Sequence, residues 1–285
     1  MATVIVANDL VGVGKVALTS SLPIMSACQT EVLPLPTVLL SSHTGEFENI
    51  YARDLTDDLK GFCKQWEHLD FTVDGLVSGY FKSREELKIV GQLARDKRIA
   101  LFVDPIMGDN GRLYQGFDME YVEAMKDFCQ QADAIIPNLT EASLLTDSPY
   151  LEVGSYDEAT IEKLLRELSK LGPRKVILTG ISFKTDKIGL AYFDKETNKT
   201  TYLMRKSYKS HFYGSGDLVT AVLASGYFHH LNLLKVANLA LDFMDQVLSS
   251  TLASGRPLKY GLCYEPHIGY LFNGINELLE EKNEK

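Results

Sequence analysis

The sequence predicts an α/β fold: a mostly parallel central sheet, helices on both faces, and short edge strands or a flap. Three observations carry this reading. Short β-branched runs alternate with longer stretches of helical periodicity along most of the chain. Several runs are apolar throughout, as in strands covered on both faces: Val4-Ile5-Val6, Ile99-Ala100-Leu101-Phe102-Val103 and Val176-Ile177-Leu178. The runs also stop at polar residues, where open parallel sheets place their ligand crevice. With 285 residues, no internal repeat and no linker, a single domain over 1–285 is expected, its charged tail at about 280–285 fraying.

Composition bounds the function. A hydrophobic fraction of 45% and a charged fraction of 24% are those of an ordinary water-soluble protein. The net charge of −9 argues against a nucleic-acid binder, which carries a basic face. It does not exclude a phosphorylated ligand, because helix N-termini and a metal ion hold phosphate without many basic side chains. Residues Met1–Ala7 lack the basic and apolar regions of a leader, and no uncharged run reaches membrane-span length. Cys28, Cys63, Cys129 and Cys263 are scattered, which disfavours zinc and disulfides and predicts free thiols, buried or partly buried, in a reducing cytoplasm.

In chain order, Thr3–Ala7 reads as a buried strand that ends in the polar, glycine-rich break Asn8-Asp9-Leu10-Val11-Gly12-Val13-Gly14-Lys15. A dinucleotide fingerprint would need glycine where Ala17 stands, and a phosphate loop would need Gly and Ser or Thr where Asp9 and Val16 stand. Leu18–Cys28 predicts a helix kinked near Pro23. Val32-Leu33 and Thr37–Leu40 read as two short strands, which Pro34 and Pro36 push to a sheet edge or a flap. The polar turn Ser41-Ser42-His43-Thr44-Gly45 closes them.

Thr56 is expected to cap a helix with the stripe Leu59, Phe62, Cys63 and Trp66. Gly75–Ser78 is a strand ending at Gly79-Tyr80, and Ser83 with Glu86 forms a capping box for the next helix. Strands follow at 99–103, 134–137 and 175–179, ending at Asp104, at Asn138 with Glu141, and at Gly180. A helix starts at Asp157, a hairpin joins Gly189–Phe193 to Thr200–Met204, and helices start at Asp217 and Leu233. His229-His230 reads as an exposed helix end rather than a metal site, since adjacent residues do not share a helix face.

Chemistry concentrates at His211-Phe212-Tyr213-Gly214-Ser215-Gly216-Asp217. A glycine turn that feeds a helix N-terminus aims free N–H groups and a positive dipole end at one point, suited to an anion. A carboxylate there can take the proton of a hydroxyl that attacks phosphorus. The plainer reading makes Asp217 only an N-cap. Against it stand further polar residues at strand ends: Asp9, Thr44, Tyr80, Asp104, Asn138, Glu141 and Thr179. Each alone suits a cap or turn, but together they line one edge. Asp104 and Glu141 are carboxylates of the kind that hold Mg²⁺, often through water.

Gly214-Ser215-Gly216-Asp217 resembles the Gly-x-Gly-Asp anion hole of the ribokinase-like superfamily. More narrowly, the chain is similar to pyridoxal kinases: Thr37–Gly45 resembles their strand and His-Thr-Gly turn, Ser78-Gly79-Tyr80 their Ser/Thr-Gly-Tyr, Asp104–Tyr114 their Asp-Pro-Val-Met-Gly-Asp segment and lid, and Ile136–Glu141 their Pro-Asn-x-x-Glu. The resemblance implies transfer of a phosphoryl group from ATP to the 5′-hydroxyl of pyridoxal, pyridoxine or pyridoxamine, with Mg²⁺ and a monovalent cation such as K⁺, in a cytoplasmic homodimer. It implies that Asp217 is the general base and that the N–H groups of Gly214, Ser215 and Gly216 stabilise the transferring charge. Asp104 and Glu141 would organise Mg²⁺ and ATP, with Asn138 and Thr179 nearby. Asp9, Thr44 and Tyr80 would face the ring, Val38 and Leu40 would wall the pocket, and residues 108–116 would form a lid.

Asp9 stands where many of these kinases carry serine, which suggests pairing with the amine of pyridoxamine. Alternatives are a hydroxymethylpyrimidine kinase, whose Gly-Gly-Ala-Gly stretch is absent, a sugar kinase, whose Gly-Gly-rich turn is absent, and a non-catalytic pyridoxal-phosphate binder.

Overall fold

The computed structural model describes residues 1–284, and the chain forms two units: Met1–Leu76 together with the chain from Tyr208 onward, and Val77–Ser207. In the first unit, β1 (Ala2–Val13) and β2 (Thr30–Ser42) pair in parallel and are connected by α1 (Ala17–Ala27). β3 (Ala52–Asp54) adds antiparallel to Val38–Leu40 of β2, and α2 (Thr56–Trp66) follows. β4 (Gly75–Ser78) carries the chain into the second unit.

β1 is more than twice the expected length. It runs through Asp9 and Gly12, where a Cβ would lie 2.9 Å from the Ser41 carbonyl, so glycine permits close approach rather than breaking the strand. The register jumps between Asn8 and Leu10, where β2 supplies the additional residue (Asn8 opposite Pro36, Leu10 opposite Leu39). β2 is likewise one strand and not two. Its prolines lie upstream of the only three residues that pair with β3, so their missing N–H groups break no bond on that side. Of the stripe expected on α2, only Leu59 is buried; Trp66 makes edge contacts with Phe62 and Phe71. The N-cap of α2 is Leu55, without a side-chain bond, and not Thr56.

The second unit continues with α3 (Arg84–Lys97), β5 (Ala100–Val103), the hairpin β6 (Gly108–Asp109) and β7 (Arg112–Leu113), α4 (Met119–Cys129), β8 (Ala134–Ile135) and α5 (Leu139–Leu145). It ends with α6 (Glu158–Leu171), β9 (Lys175–Lys184), β10 (Lys187–Asp194) and β11 (Lys199–Lys206). β5, β8 and β9 are parallel neighbours, and β10 and β11 extend them as the expected antiparallel hairpin. Ser83 accepts the Glu86 N–H as predicted, while the buried Glu86 carboxylate takes the N–H of Lys82, one residue upstream of the cap. The core is built from Leu101, Phe102 and Val103 of β5, Ile177 and Leu178 of β9, and Ile161, Leu165 and Leu168 of α6, all under 2% exposed. Within this unit, α4 and α5 escaped the sequence reading, as did the helix Ile268–Asn283 of the first unit.

The first unit is completed by α7 (Ser215–Phe228), α8 (Leu233–Ala253) and α9 (Ile268–Asn283). Residues 280–283, expected to fray, are the last turn of α9; Lys285 lies outside the described residues. His229 is not an exposed helix end: it is buried, with Nε2 shared between the Cys28 carbonyl (3.0 Å) and the Thr30 hydroxyl (3.2 Å). Cys28 and Cys129 are buried free thiols, and Cys63 and Cys263 are half-buried ones.

α7 packs on α8 through Gly226, where a Cβ would lie 2.6 Å from both Val236 methyl groups. Helix propensity favours Gly226→Ala by about 1 kcal/mol, but overpacking costs about 1–3 kcal/mol. The variant is expected to be less stable than wild type by up to about 2 kcal/mol. Urea unfolding checks this as a lower midpoint at unchanged slope; a raised midpoint would mean that α8 yields freely.

Candidate active site

In the first unit the predicted residues Asp9, Gly214, Ser215, Gly216 and Asp217 come together. Gly214 is the N-cap of α7 at φ 86°, and a Cβ there would lie 2.3 Å from the Lys15 carbonyl, so only glycine fits. Ser215 opens the helix and bonds its hydroxyl back to the Phe212 carbonyl at 3.1 Å. Beside Gly216 there is open space: apart from its chain neighbours and the helix's own backbone, nothing among the described residues lies within 4 Å of where its Cβ would stand. The first-turn N–H groups of a helix have no intrahelical partner, so this turn presents donors to a space that a ligand can fill.

Asp217 is therefore not the N-cap but the third residue of α7. Its buried carboxylate lies beside the N–H of Ala17 at the start of α1, the Asn8 side-chain amide and its own N–H. Burial pushes its pKa up and these donors pull it down, with a net rise. The Asn8 amide is oriented by the same network, since its Oδ1 accepts the Asp9 N–H at 3.0 Å. Asp9 itself is 8% exposed. Its pKa is pushed up to about 7, first by burial and then by the negative charge of Asp217.

Val38 and Leu40 are buried on β2, on one face by their spacing. Thr44, expected to face a ring, is exposed on the bend after β2. The ordered member of that turn is His43. Its Nδ1 accepts the Gly45 N–H (3.0 Å), its Nε2 donates to the Lys259 carbonyl (2.6 Å), and its ring stacks on Tyr213 at 4.7 Å, beside Gly214.

In the second unit Asp104, Asn138, Glu141 and Thr179 group at the ends of β5, β8 and β9. Asn138 and Glu141 form a capping box on α5: Asn138 Oδ1 accepts the N–H groups of Thr140 (2.8 Å) and Glu141 (3.0 Å), and Glu141 accepts the N–H of Asn138 (2.8 Å). The other Glu141 oxygen accepts the N–H of Met107 at 3.3 Å. Burial and then the charge of Asp104 raise the pKa of Glu141. Thr179 bridges to Asn138 and donates its N–H to the Pro137 carbonyl at 2.9 Å. Tyr80 packs against Phe117 at 5.6 Å. The expected lid, residues 108–116, is the β6–β7 hairpin and its continuation.

Three comparisons place the chain. Residues 53–260 match the phosphomethylpyrimidine kinase family. The pyridoxal kinase of Dictyostelium discoideum is 28% identical over 212 residues, covering 68% of this chain and 67% of its own length. The solved pyridoxal kinase of Lactobacillus plantarum is 32% identical and superposes with a TM-score of 0.89 over 97% of this chain and 98% of its own. The chain belongs to the pyridoxal kinase family. A pyridoxal kinase has the ribokinase-like α/β fold, as found here. A phosphomethylpyrimidine kinase homologue of Bacteroides thetaiotaomicron, named as putative and solved with pyridoxal, is 29% identical with a TM-score of 0.88, over 96% of both chains. The alignment to the Saccharomyces cerevisiae relative BUD17 spans only 62% of that protein's length.

For a pyridoxal kinase, the metal question turns on Asp104 and Glu141. They are buried carboxylates whose mutual repulsion a hard divalent cation relieves, and their donors are all oxygen, which fits Mg²⁺ held partly through water. Among the described residues no group of three or more His, Cys, Asp or Glu is placed to hold a metal.

The Asp9 shift has a stability consequence. Between the ordinary value of 3.8 and about 7, folded Asp9 keeps a proton that the unfolded chain has released. The folded state binds more protons in that window, so stability falls as pH rises through it. Asp9→Asn removes this slope and is expected to gain on wild type by up to about 4 kcal/mol between pH 4 and pH 8. Denaturant unfolding of both proteins across that range checks it, and parallel profiles would refute it.

Proposed function

We propose that the chain transfers the γ-phosphoryl group of ATP to the 5′-hydroxyl of pyridoxal, pyridoxine or pyridoxamine, with Mg²⁺. The observation that carries this is the Asp217 cluster: a buried carboxylate of raised basicity beside a glycine turn at a helix N-terminus, with open space beside Gly216. Asp217 accepts the hydroxyl proton as oxygen attacks phosphorus. Gly214, Ser215 and Gly216 present N–H groups to the charge that builds on the transferring oxygens. Asp104 and Glu141 hold Mg²⁺, which when bound neutralises phosphate charge; Asn138 and Thr179 support the ATP side.

Val38 and Leu40 wall the ring, while Tyr80, Thr44 and Asp9 address its substituents. The same family reading carries a cytoplasmic homodimer, checked by sedimentation. No helix among the described residues is long and apolar enough to cross a membrane.

A second reading, hydroxymethylpyrimidine phosphorylation, is favoured by the family match over residues 53–260. One assay separates them: product formation from each of the three vitamers and from hydroxymethylpyrimidine, with Mg²⁺-ATP and with or without K⁺. Turnover of the vitamers well above the pyrimidine is expected. Asp217→Asn is expected to lower vitamer turnover on the order of 10²- to 10⁴-fold, and full retained turnover would remove Asp217 as the base.

Asp9 adds a specificity prediction. A carboxylate at this position favours the amine-bearing vitamer through a charge-assisted bond. Asp9→Ser is expected to lower kcat/KM for pyridoxamine relative to pyridoxal by about tenfold, and an unchanged order of preference would refute the pairing.

A further inference from the structure

The tip and the base of the β6–β7 hairpin are both tied to the start of α5. At the base, the Asn138 amide donates to the Gly108 carbonyl at 2.9 Å. At the tip, Asn110 and Gly111 take positive φ values of 51° and 74°, the pattern of a tight two-residue turn, and the Gly111 N–H donates to the Thr140 hydroxyl oxygen at 2.9 Å. The Thr140 hydroxyl also lies beside the Tyr150 phenol, and the Tyr150 ring lies against the turn, where a Cβ on Gly111 would come within 2.9 Å of Cδ1.

Thr140 is 3% exposed. Its hydroxyl is not needed by α5, whose cap is supplied by Asn138 and Glu141. Buried hydroxyls find partners, and this one spends its acceptor on the hairpin. The hairpin has only two paired residues on each strand and no long ladder of its own. Its position therefore depends on these side-chain ties.

We propose that Thr140 and Tyr150 are positioning residues that latch the β6–β7 hairpin to α5, and that this latch sets how the phosphoryl group is divided between substrate and water. The second half rests on the kinase reading above. In the productive reaction the substrate oxygen bonds to the γ-phosphorus as the bond to the β-bridging oxygen breaks. In the competing reaction a water oxygen takes its place, giving ADP, inorganic phosphate and a released proton. A hairpin held closed excludes that water.

The test compares the full-length wild type with Thr140→Val, Thr140→Ser and Tyr150→Phe. ADP and phosphorylated vitamer are measured in the same reaction, and amide exchange of the hairpin is measured without substrate. Losing the Gly111 bond is expected to raise both the ADP-to-product ratio and the exchange rate of residues 108–113 about fivefold in Thr140→Val. Thr140→Ser is expected to restore wild-type values, Tyr150→Phe to fall between, and KM for pyridoxal to stay unchanged. A wild-type ADP-to-product ratio in both Thr140→Val and Tyr150→Phe would overturn the partitioning role. If wild type phosphorylates no vitamer, the kinase reading fails, and the exchange rates decide the latch alone: faster exchange supports it and unchanged exchange overturns it.

Discussion

A single buried carboxylate, that of Asp217, joins three elements of the first unit. It belongs to α7 and lies beside the first N–H of α1 and the Asn8 amide of β1. Placing an unpaired carboxylate in the interior costs several kcal/mol, and these donors offset much of that cost. They do not offset all of it, so the group stays more basic than a surface aspartate. Local structure and chemistry thus draw on the same atoms: the donors that make burial tolerable also aim the carboxylate. Gly214 completes the constraint, since the Lys15 carbonyl leaves no room for a side chain at the turn.

The second unit repeats this economy with different parts. Glu141 uses both oxygens on backbone donors, one within its own capping box and one at Met107. Burial and the neighbouring charge of Asp104 still favour its protonated form. The pair is rigid because it is built into the start of a helix and the end of a strand, and a rigid site loses less by reorganising during reaction.

Much of this was legible in the sequence, and what was not has identifiable causes. The parallel core showed because its strands are apolar throughout, and the β10–β11 hairpin showed because polar residues 194–199 separate two alternating runs. α5 was missed although Asn138-x-x-Glu141 is itself a capping-box pattern; attention to the carboxylate as a ligand hid its local role. β1 and β2 were cut short because glycine and proline read as breaks, whereas here they mark close approach and an unpaired strand side. Asn8 and Thr140 left no signal beyond their neighbours in sequence. The contacts that matter, Asn8 with Asp217 and Thr140 with Gly111, span 29 residues or more of chain and are created only by folding.

The prolines of β2 have a consequence beyond strand register. From Thr30 to Pro36 the flank of β2 opposite β1 carries no β3 partner among the described residues, a strand border of the kind through which proteins assemble into fibrils. Pro34 and Pro36 remove two amide hydrogens from that border and stiffen its backbone. An invading strand finds no continuous ladder to extend. The residues that obscured the strand in the sequence therefore guard the chain against aggregation.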